Sequence, residues 1–476
     1  MLKIAKVVPV FKKEDPHQFG NYRPISLLPA ISKISEKVVF AQVYKYFNDN
    51  NLLYKHQYGF RKHHSTELAA IELTDKLFDN LDKKKIPLAV FIDLSKAFDT
   101  IDHDILLSKL QHYGIKGVAL NWFRSYLTNR TQYVHYKDQI STEKTITTGV
   151  PQGSILGPLL FIIYVNDIAN ITNKFHFLIY ADDTTLIEPI CTFAHHDLDS
   201  KILSEAANIE LNRVVEWMSL NKLSLNVKKT KMMVFHYKQR KLGHIIPKLK
   251  INNIDIERVK EFNFLGITID EHMSWKAHAH KVACKLGATI GTMKRLKHFL
   301  PMSVMKTLYS SLVLPHLTYG IILWGRKIKR IIKLQKWAVR CIVNAKYNAH
   351  TEPIMKKLKI LKVTDLYTMA ALKVFHKYKH NNLPLYFNNL FEKVEPQHNY
   401  NTRHGTSRRP KPNSITASQS PKFVIPETID SIADHIMSKI HTHTYKGFSN
   451  QAKTYFLQGY EETCTLENCY FCNSPQ

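Results

Sequence analysis

Acid is scarce in this sequence. Among 476 residues there are 39 Asp and Glu against 67 Lys and Arg, a formal charge of +28, so the expected partner is a polyanion: nucleic acid first, an anionic membrane surface second. Cysteine is scarcer still. Six in a chain of this length do not make a disulfide framework, which points to a reducing, intracellular compartment. Long apolar runs are missing too. The best, from Leu308 to Trp324, contains Pro315 and His316 and lies among lysines, so it reads as a buried helix and not as a membrane span. The opening Met1-Leu-Lys-Ile-Ala-Lys6 has no apolar core of a signal peptide, and no internal repeat is visible. What remains, 44% hydrophobic and 22% charged, is ordinary globular composition with length for more than one domain.

Because acid is rare, its clusters carry information. In Phe177-Leu-Ile-Tyr-Ala-Asp-Asp-Thr-Thr-Leu-Ile187, Asp182 and Asp183 sit between two short apolar runs. This pattern predicts a β-hairpin with acid at its tip. Two adjacent carboxylates repel and resist desolvation, so a divalent cation is expected beside them. Leu88-Ala-Val-Phe-Ile-Asp93 reads as a buried strand delivering a carboxylate to its C-terminal edge. Taken alone, Asp93 is either a metal ligand or a plain strand-end acid. Further on, Asp102 or Asp104 caps a helix over Ile105 to Tyr113, and Asp99 is either a cap or a support for the site.

In chain order, Ile4 to Phe11 reads as a strand. Ser32 is a candidate cap for a helix whose Ile31, Ile34, Val38 and Tyr46 are near helical spacing. Gln57-Tyr-Gly-Phe-Arg-Lys62 is a glycine-bearing basic loop whose Arg61 and Lys62 either bind phosphate or form a solvated face. A second helix follows with Leu68, Ile71, Phe78 and Leu81. Thr147 to Pro158 holds three glycines and two prolines before an apolar helix, Leu159 to Val165. Such a loop lets backbone approach a ligand, with the Gln152 amide free for a base or sugar edge; the plain alternative is a turn and helix start. Ile202, Ala206, Ile209, Trp217 and Leu220 mark a long amphipathic helix, then Lys228 and Lys229 precede a strand over Met232 to Phe235. Val259 to Asp270 reads as a further hairpin or strand, and the pattern beyond about 275 is helical. Residues 395–421 are rich in Pro, Ser, Asn, Thr and Arg and read as a linker. In the tail, Cys464, Cys469 and Cys472 offer three soft ligands to zinc, with His441 or His443 as the fourth, or else stand as free thiols.

Taken together, Asn21-Tyr-Arg-Pro-Ile-Ser26, Gln57-Tyr-Gly-Phe-Arg61, Phe91-Ile-Asp-Leu-Ser-Lys-Ala-Phe-Asp99, Gly149-Val-Pro-Gln-Gly-Ser-Ile-Leu-Gly-Pro158, Tyr180-Ala-Asp-Asp183, Asn226-Val-Lys-Lys-Thr230 and Phe264-Leu-Gly-Ile267 resemble the ordered motifs of a non-LTR (LINE-type, jockey-like) retrotransposon reverse transcriptase. The resemblance implies an α+β right-hand polymerase fold: fingers and an antiparallel-sheet palm over 1–274, a helical thumb and following segment over 275–394, a linker over 395–425 and a C-terminal tail over 426–476. It implies an RNA-directed DNA polymerase that copies an RNA template from a DNA primer with dNTPs. By the same resemblance Asp93, Asp182 and Asp183 hold two Mg²⁺ ions, with Mn²⁺ as a substitute. Lys229 is the proton donor to pyrophosphate, Arg61 contacts the triphosphate, Gln152 and Gly153 meet nucleotide and template, and Phe264, Leu265 and Gly266 to Ile267 grip the primer. Phe98 is either a gate beneath the sugar of the incoming nucleotide or part of the core. The family's endonuclease domain does not precede the motifs, so a truncated copy is expected, working as a ribonucleoprotein in nucleus and cytoplasm. The other readings are an RNA-dependent RNA polymerase and a silent copy that only binds nucleic acid.

Overall fold

The strand Pro87–Ile92 is buried along its whole length, as an uninterrupted apolar run requires. It is the middle of a five-stranded sheet whose order is Glu257–Arg258, Lys231–Val234, Pro87–Ile92, Asp183–Pro189, His176–Tyr180. Neighbours run antiparallel except for the short edge pair, where Glu257–Arg258 lies parallel to Lys231–Val234. The computed structural model describes residues 3–12, 15–189, 200–240, 242, 246–326, 328–391, 412–414, 417–432, 434–438, 440 and 444–462. Cys464, Cys469 and Cys472, with His441 and His443, lie outside the described residues.

Two compact units are present. One comprises Met1–Ala69, Pro87–Val234 and Arg240–Val259; the other comprises Ala70–Ile86, Phe235–Gln239 and Lys260–Gln476. The last change of unit falls after Val259, and the hairpin Glu261–Phe264/Ile267–Asp270 packs on the helix Lys276–Leu296 that follows it.

In the first unit, a second sheet pairs Ile4–Phe11 with Tyr22–Leu27 antiparallel and with Arg130–Tyr136 parallel. Asp102 caps the helix His103–His112 by accepting the amides of Asp104 and Ile105, both at 3.1 Å. The helix Gly157–Tyr164 is buried at seven of its eight residues. The helix Ala30–Asp49 buries Ser32, Glu36, Val43, Tyr44 and Phe47, so the expected apolar face is corrected. Ile31 and Ile34 are 67% and 65% exposed, and Val38 and Tyr46 also face outward. Ser32 is no cap, since Pro29 occupies that position and the Ser32 hydroxyl instead faces Glu36. The helix Ser200–Leu220 turns inward through Ala207, Leu211, Val214 and Met218. Its stripe is displaced from the expected one, leaving Ala206, Ile209 and Leu220 exposed; the side chain of Ile202 lies outside the described residues.

In the second unit, Asp270 organises the start of Lys276–Leu296. Its carboxylate accepts the backbone amides of His272, Ser274 and Trp275 within 3.0–3.1 Å. The run from Leu308 to Trp324 is not one helix. Pro315 has no amide to donate, and the chain passes through a π turn, Tyr309–Val313, a short helix Leu314–Thr318, and a break at Gly320 (φ 61°) before Ile321–Trp324. Buried Gln335 ties this region together: it donates to the Tyr309 hydroxyl (3.0 Å) and the Leu361 carbonyl (2.9 Å) and accepts the Val363 amide (2.8 Å).

The end of the expected linker is structured, since Pro421–Asp430 is a helix. Ser420 donates to Asp75 at 2.5 Å, the Lys422 amide donates to the same oxygen at 2.9 Å, and the Lys422 ammonium pairs with Asp79 at 2.8 Å. Burial pushes Asp75 up to about 7, against the pull of those donors. Leu68 of the helix Thr66–Asp82, and its Ile71, Phe78 and Leu81, are buried as their spacing predicts. Among the described residues no helix is long and apolar enough to cross a membrane.

Candidate active site

Ala181 and Asp182 form a two-residue turn between His176–Tyr180 and Asp183–Pro189, with Tyr180 paired to Asp183 across it. Such a tight hairpin needs left-handed backbone, and Ala181 supplies it at φ 56°. The central strand is paired to the other side of Asp183–Pro189, with Ile92 opposite Thr184. One residue further that register sets Asp93 opposite Asp183, so the three acids share one end of the sheet.

Their electrostatics agree with that placement. Burial among the strand ends, reinforced by the charges of Asp182 and Asp93, pushes Asp183 up to about 6 although its side chain still reaches solvent. Asp93 is also raised, mainly by burial; Lys229 opposes the rise, Asp182 adds to it, and the Asn226 amide and Lys12 hold it down. Three converging carboxylates are a hard-oxygen donor set that fits divalent cations of the magnesium type.

The turn carrying Lys229 is clasped to the first acid. The Asn226 amide donates to the Asp93 carbonyl (2.9 Å), the Asp93 amide to the Thr230 hydroxyl (3.4 Å), and that hydroxyl to the Asn226 carbonyl (3.0 Å). Lys229 is exposed beside Asp93.

The basic loop 57–62 abuts the acidic turn. The Tyr58 amide donates to the Ile179 carbonyl at 2.7 Å and the Ile179 amide to His56 at 3.0 Å, a parallel bridge alongside the hairpin strand. The Gln57 side-chain oxygen accepts the amides of Gly59 (2.8 Å) and Ala181 (3.1 Å). Arg61 turns back onto its own loop, donating to the carbonyls of Tyr54 (2.8 Å) and Gln57 (3.4 Å). Burial lowers its pKa while Tyr44 and Tyr58 oppose the shift.

The glycine-rich loop packs closely on its own chain at Gln152 and Gly153, the positions where ligand contact is expected. Gly153 (φ 121°) brings backbone so close to Ser26 that a Cβ would lie 2.5 Å from its carbonyl oxygen. The Ser26 amide donates to the Gln152 carbonyl at 2.7 Å, and the Gln152 side chain donates to Asp99 at 3.0 Å. Asp99 is thus a support for Gln152. Phe98 is half-buried, stacked on Phe161 at 4.7 Å and edge-on to Phe60 at 6.2 Å.

The expected primer grip belongs to the second unit. Leu265 (φ 46°) and Gly266 (φ 86°) form the hairpin turn, and the Tyr319 hydroxyl donates to the Leu265 carbonyl. Phe264 is buried, 4% exposed, so its ring is core, while Leu265 is half-buried and Gly266 exposed in the turn.

Residues 11–269 match the reverse transcriptase (RNA-dependent DNA polymerase) family. This chain belongs to that family. Among its relatives, the probable RNA-directed DNA polymerase from transposon BS of Drosophila melanogaster is 28% identical over 387 residues, covering 76% of this chain and 41% of that protein. The corresponding protein of the X-element from the same fly is 27% identical, covering 73% and 38%. The RNA-directed DNA polymerase from its mobile element jockey is 26% identical, covering 79% and 41%. The chain therefore spans about two fifths of the length of these relatives. Among solved structures, an apo telomerase from Candida tropicalis covers 78% of this chain and 63% of its own at 13% identity and a TM-score of 0.42, too distant to add to the assignment.

Two residues of the site's surroundings have little signal in the sequence. Gln57 lay inside a motif but had no role until its contact with Ala181 was seen. Glu36 is fully buried and accepts the amides of Ile155 (2.6 Å) and Leu156 (3.2 Å), ahead of the helix Gly157–Tyr164. A lone acid within a helical pattern was its only trace in sequence.

Proposed function

We propose that this chain is an RNA-directed DNA polymerase that extends a DNA primer with dNTPs on a retrotransposon RNA template. The observation that carries the reading is the arrival of Asp93 and the Asp182–Asp183 turn at one sheet end, with Asp183 pushed up to about 6. Reverse transcriptases use divalent metal ions, and the donor set here suits a pair of Mg²⁺ or Mn²⁺ held by Asp93, Asp182 and Asp183. When bound, such ions supply Lewis acidity to the primer hydroxyl and neutralise charge on the triphosphate.

The chain's own groups do the rest. Asp93 and Asp183 present oxygen from paired strands, so their spacing is fixed by backbone hydrogen bonds and not by loop motion. Gln57 holds Ala181 and thereby the orientation of Asp182. Lys229, exposed on a turn clasped to Asp93, is set to give a proton to departing pyrophosphate. Phe98, half-buried with one face against Phe161, offers the solvent-reaching part of its ring as the barrier to a 2′-hydroxyl. The helices of the second unit serve as thumb, with Leu265 and Gly266 as the grip. The excess of 67 basic over 39 acidic residues holds template and primer through phosphate.

Primer extension on poly(rA)/oligo(dT) with Mg²⁺ tests this. Incorporation of dTTP that disappears in Asp93→Asn supports it; extension that survives that change, or a wild type that prefers ribonucleotides, overturns it.

A further inference from the structure

Three side chains of the second unit converge without a role in the reading above: His236, Glu271 and His272. Their ligand atoms lie within 4.8 Å of one another. His236 and Glu271 are each 8% exposed. The Nε2 of His236 is 3.8 Å from one Glu271 oxygen and the Nε2 of His272 is 3.9 Å from the other. The rings are 4.5 Å apart at 84°, edge to face, so both point at the carboxylate without stacking.

The far side of each ring fixes which nitrogen carries the proton. The Nδ1 of His236 lies 3.0 Å from the Tyr237 carbonyl and the Nδ1 of His272 lies 3.2 Å from the His236 carbonyl. A carbonyl oxygen can only accept, so each Nδ1 is the protonated, donating atom. In the neutral ring the Nε2 then offers a lone pair. Two such lone pairs turned toward one carboxylate form a mixed nitrogen and oxygen donor set. Imidazoles oriented through Nδ1 by carbonyls are also the usual support for metal-bound histidine.

The scaffold around the three residues is firm. The His236 amide donates to the Glu271 carbonyl at 3.0 Å and the Glu271 amide to the Lys260 carbonyl at 3.0 Å. The neighbouring Asp270 accepts the His272 amide at 3.1 Å. All three ligands hang from backbone that is already pinned, so little ordering cost is left for binding.

We propose that His236, Glu271 and His272 form a transition-metal site of the two-histidine, one-carboxylate type, taking Zn²⁺ and leaving one position to water. Imidazole nitrogen selects zinc over magnesium. A tetrahedral zinc with bonds near 2.0–2.1 Å sets its ligands about 3.4 Å apart, and three ligand atoms already within 4.8 Å of one another close onto one ion by side-chain rotation. Bound metal would staple the segment Phe235–Gln239 to the turn that leads into the helix Lys276–Leu296. The site is distinct in chemistry and in residues from the three aspartates. The competing arrangement is a proton in place of the metal, with one imidazolium paired to Glu271.

The test uses the full chain with Cys464, Cys469 and Cys472 changed to Ser, so that the tail thiols bind nothing. Zn²⁺ alone is titrated, and Co²⁺ is substituted for its visible spectrum. The expected results are one zinc per chain, a melting temperature that rises with zinc and returns with chelator, and a Co²⁺ spectrum of nitrogen and oxygen ligands without a sulfur charge-transfer band. His236→Ala and the isosteric Glu271→Gln should each weaken zinc by more than the roughly 10–100-fold that loss of an outer partner costs. Circular dichroism of metal-free Glu271→Gln matching the parent keeps the comparison one of folded proteins, and His272→Gln replaces His236→Ala if that variant fails to fold. Zinc binding unchanged in Glu271→Gln and His272→Gln, no zinc-dependent melting shift in the parent, or a sulfur band with Co²⁺ would each overturn the proposal.

Discussion

The side-chain oxygen of Gln57 accepts the backbone amide of Ala181 at 3.1 Å, 124 residues away in the chain, while also accepting that of Gly59. The acidic turn is therefore held from outside its own hairpin. A Cβ on Gly59 would sit 2.3 Å from the Ala181 nitrogen, and backbone cannot yield there without moving Asp182. Gly59→Ala should cost about 1–3 kcal/mol by overpacking and lower primer extension at least as much as it lowers stability. Chemical denaturation alongside extension rates checks this; a folded variant with wild-type rates would show that the contact is idle.

Asp183→Asn should abolish extension yet leave the metal-free protein as stable as wild type or more so, because like charges are removed. The sign follows from the raised pKa. A carboxyl whose folded pKa is about 6 against an ordinary 3.8 binds its proton more tightly when folded, so stability falls as pH rises from about 4 to 6 and the penalty is complete above that. The variant should lose this component. Melting curves from pH 4 to 8 for both proteins give the difference, and parallel curves would contradict the assignment.

Glu36→Ala leaves two amides, one buried and one half-buried, without their acceptor, at up to about 1–3 kcal/mol each. Glu36→Gln keeps an oxygen in place and should lose less. Equal losses in the two variants would mean that charge, and not the hydrogen bond, is what Glu36 contributes.

Phe98→Ala removes a half-buried ring stacked on Phe161. As a gate it should raise the ratio of ribonucleotide to deoxyribonucleotide incorporation while costing less than the roughly 3–5 kcal/mol of a fully buried phenylalanine. An unchanged ratio with a large stability loss would assign the ring to the core alone.

Template-primer affinity should fall steeply between low and physiological salt, since neutralising phosphate releases counterions. Filter binding at several salt concentrations measures the slope. A flat line would leave the formal +28 without a partner.

What was legible in the sequence is what local pattern encodes. The buried run ending at Asp93, the alternation around Asp182–Asp183 and the Asp102 cap each depend on neighbours within a few residues, and each stands where spacing put it. The inward face of Ala30–Asp49 was not legible, because its anchor is a charged residue, Glu36, whose partners are 119 and 120 residues distant. Arg61, Gln152 and Phe264 were legible as motif members but not in their contacts. Two of them bond to their surroundings and the third is core. The division of the apolar run around Pro315 was not legible either: the helix widens through a π turn just before the proline, and the break itself falls at Tyr319 and Gly320.

The contact between Asp75 and Ser420 has a consequence in time. The two residues are 345 positions apart, and a ribosome adding 5–20 residues per second needs roughly 20–70 s to cover that interval. Throughout it, the helix Thr66–Asp82 exists without the hydroxyl and amide that later satisfy its buried acid. The acid can meanwhile stay in water or keep its proton. The closure of this contact is thus scheduled by translation: it waits until Ser420 and Lys422 have been made.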